Sequence, residues 1–402
     1  MHCALCLHGL VKKSCRARTR PFAWFAMNCA VMLCALATST VSAASTKPHI
    51  LFILVDDLGY GDVGFTRAAF NVSTAPAVQT PSIDALVADG VLLKRHYVHK
   101  MCTPTRTSVQ SGRLPVHVST SLANPEQPNC GIARNMTGMA QVLKRAGYKT
   151  HFVGKWDAGM ATPKHTPHGR GYDTSLNYFE HMNDFWTSAS GQTSCNGTFD
   201  LWNTDQPALD IAGEGVQTQY EEYLFRDRLS SIVRAHDAST PLLLFYAPHV
   251  AHVPLQVPAD KLAQFAALTN GTDETRCSAY TPTINPQGSP CACRAQYHAM
   301  VSILDDNVAN ITAELKHKNM FENTLIVFSS GESSEKNTIK PTPSRSAWPG
   351  LFRNEHGAHT AAWSPAVVAS CRTHLVCAQL PLFHATHPLR ALARRYQPAL
   401  LP

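Results

Sequence analysis

The chain runs to 402 residues, 44% of them apolar and 16% charged. That balance excludes a disordered or fibrous protein and provides for one large core with a smaller appendage. The formal charge of +7 owes five units to Lys12, Lys13, Arg16, Arg18 and Arg20, so +2 remains beyond residues 1–43; no basic block or nucleic-acid motif is left, which argues against a nucleic-acid partner.

Residues 1–43 read as a secretory signal peptide. The basic stretch precedes the apolar run Pro21–Ala37, and small residues close it at Val41-Ser42-Ala43. The run is short for a membrane span of ~20 residues. An uncleaved signal anchor is the alternative, with membrane attachment only in that case, and Met27 is a second candidate start. Sequons at Asn71, Asn135, Asn196, Asn270 and Asn310 behind such a leader fit a glycoprotein of the secretory pathway, extracellular or lysosomal. Of 13 cysteines, Cys3, Cys6, Cys15, Cys29 and Cys34 fall in the leader. Cys277, Cys291 and Cys293 stand in a polar, Pro-containing stretch without a second Cys/His pair and read as disulfide cysteines, not zinc ligands.

The first predicted element after the leader is a strand, His49–Val55, a continuous apolar run that stops at Asp56-Asp57. Such a run is how a parallel strand buried on both faces reads. Pro81–Asp89 has helical spacing (Ile83, Leu86, Val87) with Pro early and Gly90 after it. Helix Thr137–Ala146 and strand Thr150–Val153 follow, the strand emptying into Gly154-Lys155-Trp156-Asp157. Pro241–Ala247 is another buried strand, with His249 and His252 beyond its end. Arg294–Lys316 reads as a long amphipathic helix along Met300, Leu304, Val308, Ile311 and Leu315, leading into strand Thr324–Phe328. Alternating strands and helices predict an α/β fold with a largely parallel mixed sheet flanked by helices. Ligands of such sheets sit beyond the carboxyl ends of the strands. Those ends here deliver Asp56, Asp57, Lys155, Asp157, His249 and His252. From about Gly331 the pattern fades, and no structure is predicted over Ala366–Pro402.

Cys102-Thr103-Pro104-Thr105-Arg106, followed by Ser111-Gly112-Arg113, admits two readings. A cysteine at a helix start is often simply buried. It is also a place where free N–H groups and an arginine favour a nucleophile and an anion. Two other motifs are discarded. Gly59-Tyr60-Gly61 is too short for a dinucleotide loop, and His356-Gly357-Ala358-His359 is not the His-Glu-x-x-His of a zinc protease.

Taken together, the motifs resemble those of the sulfatase family, within the alkaline-phosphatase-like superfamily. They are Ile53-Leu54-Val55-Asp56-Asp57-Leu58-Gly59-Tyr60-Gly61-Asp62, Cys102-x-Pro-x-Arg106, Gly154-Lys155-Trp156 and Gly169-Arg170-Gly171-Tyr172-Asp173. His252-Val253-Pro254-Leu255-Gln256-Val257-Pro258 is most similar to the arylsulfatase B branch. The resemblance implies hydrolysis of aryl or carbohydrate sulfate esters. It implies that Cys102 is oxidised to formylglycine by a formylglycine-generating enzyme, and that its hydrated aldehyde attacks sulfur. It implies one divalent cation, Ca2+, with Asp56, Asp57 and the Cys102-derived group among its ligands. Arg106 would hold the formylglycine, Lys155 the sulfate, and His252 the sulfate or leaving oxygen, with His249 as the competing histidine.

The chain departs from the family pattern in three places. Asp157 stands where the family has histidine, and an ionised carboxylate ~4 Å from sulfate costs about 4 kcal/mol at an effective dielectric of ~20. Asp157 is therefore expected to be paired with a cation or to act as an acid. Gly331-Glu332-Ser333-Ser334 stands where the family has Asp-Asn-Gly-Gly, so Glu332 is the candidate replacement metal ligand. A later lysine is represented only nominally, by Lys336 and Lys340. The expected organisation is a catalytic domain over 44–334 and a divergent tail over 335–402, the usual C-terminal subdomain being missing or divergent. The alternative to an enzyme is an inactive pseudo-sulfatase that binds sulfated glycans.

Overall fold

A computed structural model describes residues 47–59, 62–69, 79–93, 96–99, 101–120, 124–127, 130–191, 195–212, 219–266 and 293–331, with short strands at 362–363 and 366–369. The leader, Asn71, Asn270, Cys277, Cys291, Glu332, Lys336 and Lys340 lie outside the described residues.

In chain order the strands are β1 (His49–Val55), β2 (Gly90–Leu93), β3 (Tyr97–Val98), β4 (Lys149–Lys155), β5 (Thr174–Tyr178), β6 (Trp202–Asn203), β7 (Gln206–Pro207), β8 (Leu242–Ala247), β9 (Thr324–Ser330), β10 (Ala362–Trp363) and β11 (Ala366–Ala369). The helices are α1 (Gly64–Ala69), α2 (Pro81–Asp89), α3 (Cys102–Ser111), α4 (Met139–Arg145), α5 (Leu209–Ala212), α6 (Glu221–Ala235), α7 (Ala259–Ala263) and α8 (Cys293–His317). Nine strands form one sheet in the order β2-β11-β9-β1-β8-β4-β5-β6-β7, and β3 pairs with β10. The five central strands, β9 to β5, are parallel; at the flanks β11 pairs antiparallel with β9, β6 with β5, and β7 with β6. This is the mixed, largely parallel sheet that the alternation of elements predicts.

The apolar strands are apolar throughout because the sheet is covered on both faces. Alternate residues point to opposite sides: Leu51, Ile53, Val55, Leu242, Leu244 and Tyr246 join one core, Leu54, Leu243, Phe245 and Phe152 the other. On the second face Phe52, Phe245 and Phe152 lie in register across β1, β8 and β4 and stack at 4.8 and 5.3 Å. The predicted stripe of α8, Met300 through Leu315, is buried at every position against the first core. β4 and β8 approach closely at Gly154, whose φ is +107° and where a Cβ would fall 1.8 Å from the Ala247 carbonyl oxygen. Only glycine fits there.

Several elements were not anticipated, among them β5 of the parallel centre, α6 and β11. α6 opens with two acids and carries interspersed arginines and serines, yet Leu224, Phe225, Leu229 and Val233 give it a buried stripe. β11 corrects the expectation of no structure after Ala366: Ala366-Val367-Val368-Ala369 pairs antiparallel with β9 on one side and β2 on the other. Four residues carry no readable period, and the strand is specified by the unpaired edge of β9 that it covers.

Candidate functional site

The carboxyl ends of β1, β4, β8 and β9 open toward one place, and α3 starts there. Cys102 is the first residue of α3 and is 9% exposed. Its N-cap, Met101, offers no side-chain oxygen, and Pro104 has no N–H, so the first turn is left without a side-chain cap. α3 is buried along polar residues, including Thr103, Thr105, Arg106, Thr107 and Gln110. It ends at Gly112, which is left-handed (φ 65°) with its N–H on the Ser108 carbonyl, while Arg113 donates to Ser111 and Thr137 carbonyls. The Ser111-Gly112-Arg113 motif thus closes the helix, whereas Cys102 and Arg106 face the sheet edge.

Asp56 is fully buried, and both its oxygens are engaged: Oδ1 accepts from Arg106 Nη2 at 2.9 Å and Oδ2 from Lys155 Nζ at 2.6 Å. Arg106 Nη1 also donates to the Lys155 carbonyl at 3.0 Å, which ties α3 to β4. Burial alone would discharge the Lys155 ammonium, but the charges of Asp56, Cys102 and Asp157 outweigh it and hold its pKa above the ordinary value. Asp57 follows in a left-handed turn (φ 50°). Burial raises its carboxyl pKa, against the opposing charge of His252 and with the help of Asp56. His252 Nε2 lies 3.6 Å from Asp57 Oδ2, and its Nδ1 is 2.7 Å from the Val253 carbonyl oxygen.

His249 lies beside His252, ring centroids 6.1 Å apart, but turns to other partners. Its ring stacks on Phe185 at 3.9 Å, its Nδ1 is 2.9 Å from Glu221 Oε2, and burial pushes its pKa well below the ordinary value. Glu222, also buried, accepts from the His249 and Val250 N–H groups and from the Tyr246 hydroxyl. Burial raises Glu222 to about 7 against those bonds. The two acids at the start of α6 therefore hold the loop that presents His252. They were missed in the sequence because a Glu-Glu pair ordinarily reads as a solvated helix start.

Asp157, in a left-handed turn (φ 42°), is completely buried. Its Oδ1 accepts from the Thr103 hydroxyl at 2.8 Å and lies 3.0 Å from His181 Nδ1; its Oδ2 is 3.8 Å from Lys155 Nζ. Burial opposes charging the His181 ring, but the charge and contact of Asp157 outweigh it, so its pKa stands above the ordinary value. His181 carries no sequence signal of its own; the β5 exit brings it to Asp157.

The remaining motif residues brace the site. Tyr297 of α8 donates its hydroxyl to Asp62 Oδ2 and lies 3.0 Å from the Asp57 carbonyl, fixing the turn after β1. Tyr172 donates to Gln110 of α3 at 2.9 Å, and Asp173 accepts from the Thr150 N–H and from Lys144. Gly331, the last described residue of its segment, donates its N–H to the Val55 carbonyl at 2.7 Å. A side chain at Gly331 would come within 3.8 Å of Arg106 Nη2, so the chain leaves β9 at the same edge. Trp186 packs half-buried on Tyr220 at 5.3 Å.

A family model described as Sulfatase matches residues 48–355. Arylsulfatase J of Mus musculus is 32% identical over 310 residues, 77% of this chain and 45% of its own length. N-acetylgalactosamine-6-sulfatase of Mus musculus is 24% identical over 299 residues, 72% of this chain and 51% of its own. The chain spans about half the length of these curated relatives. The solved structure of Ps i-CgsB in complex with k-i-k-neocarrahexaose shares the fold, with a TM-score of 0.59 at 24% identity over 81% of this chain and 66% of that one.

Proposed function

The chain belongs to the sulfatase family, and from that premise we propose that the protein hydrolyses sulfate esters, aryl or carbohydrate, at the edge where β1, β4 and β8 meet the start of α3. The observation that carries this reading is the buried network in which Arg106 and Lys155 clasp Asp56 beneath the first turn of the Cys102 helix. Fixed cations and uncapped helix N–H groups are what a sulfate dianion requires. A sulfated sugar is the favoured substrate class, since one relative is named for N-acetylgalactosamine 6-sulfate chemistry and a neighbour of the same fold holds a neocarrahexaose.

The donors at the strand end fit a hard divalent cation such as Ca2+. Asp56 and Asp57 are adjacent carboxylates at a strand end, the oxygen donors that such a cation takes. They would hold the cation together with the group derived from Cys102, with Glu332 as a further proposed ligand after Gly331. When present, the cation supplies charge stabilisation and formylglycine a nucleophilic hydroxyl. Lys155 orients the sulfate, and Arg106 holds the formylglycine and the helix start. His252 presents Nε2 for the sulfate or leaving oxygen. Asp157 is answered by His181 and Lys155, which offsets the repulsion that its carboxylate would otherwise exert on sulfate.

The compartment consistent with formylglycine is the secretory pathway, extracellular or lysosomal, with maturation by a formylglycine-generating enzyme. Asn135 and Asn196 are exposed in loops, where glycosylation is accessible, whereas Asn310 lies within α8 and accepts from Ser230. Tandem mass spectrometry of the Cys102 peptide from secreted protein tests the proposal: an aldehyde, with aryl sulfate turnover that Cys102→Ala abolishes, is the expected result. An unmodified thiol without turnover overturns it and leaves the glycan-binding reading.

A further inference from the structure

A second buried carboxylate lies beyond the exit of β5. Glu180 is 1% exposed, and its side-chain oxygens have no hydrogen-bond partner beyond the contact that the Cys195 thiol makes with the carboxylate. Its backbone is fixed, since the Glu180 N–H donates to Asp200 Oδ2 at 2.9 Å. Glu126 approaches from the 124–127 segment with its Oε2 also buried and without a partner, and Cys195 from the turn at 195–197. One ligand atom of each residue, two carboxylate oxygens and the Cys195 sulfur, lies within 4.8 Å of the others. Burial first, then the charges of Asp200 and Glu126, push the Glu180 carboxyl up to about 7.

Two carboxylates at this spacing repel by about 3–4 kcal/mol at an effective dielectric of ~20. A buried carboxylate oxygen without a partner, as at Glu126, or with only a thiol beside it, as at Glu180, normally marks a missing water or ion, and here three potential ligands converge. We propose that Glu126, Glu180 and Cys195 form a second metal site, for a divalent ion of borderline softness such as Zn2+, with a fourth position open to water. The sulfur discriminates: Ca2+ and Mg2+ take oxygen donors, whereas Zn2+ takes thiolate and carboxylate together. Tetrahedral bonds of ~2.0–2.3 Å set ligand atoms about 3.5 Å apart, so the cluster must contract by about 1 Å. Glu126 and Cys195 are only partly buried, which leaves them room to turn inward. The ion would join three chain segments and fix the β5 exit that carries His181 to Asp157. This site is independent of Cys102 and of the reaction proposed above.

The test uses the full-length protein, dialysed against Zn2+ in excess Ca2+ and analysed by plasma mass spectrometry. One Zn2+ per chain is expected in the parent and in Asp57→Asn, with affinity weakened by more than about 10-fold in Cys195→Ser and Glu126→Gln. Circular dichroism checks that each variant is folded; Glu126→Gln, at a partly exposed position, serves if Cys195→Ser is not. Co2+ in place of Zn2+ should give a sulfur-to-metal charge-transfer absorption that survives Cys102→Ala and disappears in Cys195→Ser. Zn2+ no higher than in the dialysate, equal binding by the folded variants, or a disulfide between Cys130 and Cys195 would each overturn the proposal.

Discussion

Replacing His49 by Asn should remove a specific part of the protein's acid sensitivity. His49 opens β1, is 2% exposed, and its Nδ1 accepts the Leu242 N–H at 3.2 Å, so the neutral ring is the one that fits. Burial first, then the edge-on ring of His236 at 5.7 Å, lower its pKa from 6.5 to about 4. Between those values the unfolded chain binds a proton that the folded chain refuses. The stabilising contribution is therefore complete above pH 6.5 and is lost as pH falls toward 4. Linkage gives a loss of about 2 kcal/mol between about pH 7.5 and about pH 5 from this one group. Asn keeps an acceptor for Leu242 and does not titrate; its lost ring packing is independent of pH. Urea unfolding across that range should show a pH slope shallower by about 2 kcal/mol in His49→Asn than in the parent. Parallel slopes would refute the argument. A strong loss in the parent would also weigh against a working life in an acidic lumen.

Three further outcomes follow from the geometry. Gly154→Ala places a methyl against the Ala247 carbonyl at a left-handed φ and should destabilise by about 3 kcal/mol or more, read as a lower urea midpoint or as loss of soluble protein. Tyr172→Phe leaves the buried Gln110 carbonyl without its donor and should cost about 1–3 kcal/mol in chemical unfolding. Asp157→Ala releases Thr103 and His181 and should lower turnover most on sulfate esters with poor leaving groups; equal rates on those substrates would remove Asp157 from the reaction.

The sequence alone determined the scaffold and the edge of the sheet that matters. Strands buried on both faces must be apolar at every position, so β1 and β8 were legible as runs, and α8 as a stripe of 3–4 spacing. A run that ends abruptly in Asp56-Asp57 or in Gly154-Lys155-Trp156-Asp157 announces polar groups at a strand exit, wherever the strands lie in the sheet. What it could not supply was contact between residues far apart in the chain. Only the tertiary structure brings His181 to Asp157, separates His252 at Asp57 from His249 against Glu221, and seats β11 on the open edge of β9. Each of these depends on a long-range approach between side chains or backbones that carry no periodic signal, and a pattern read along the chain records only neighbours.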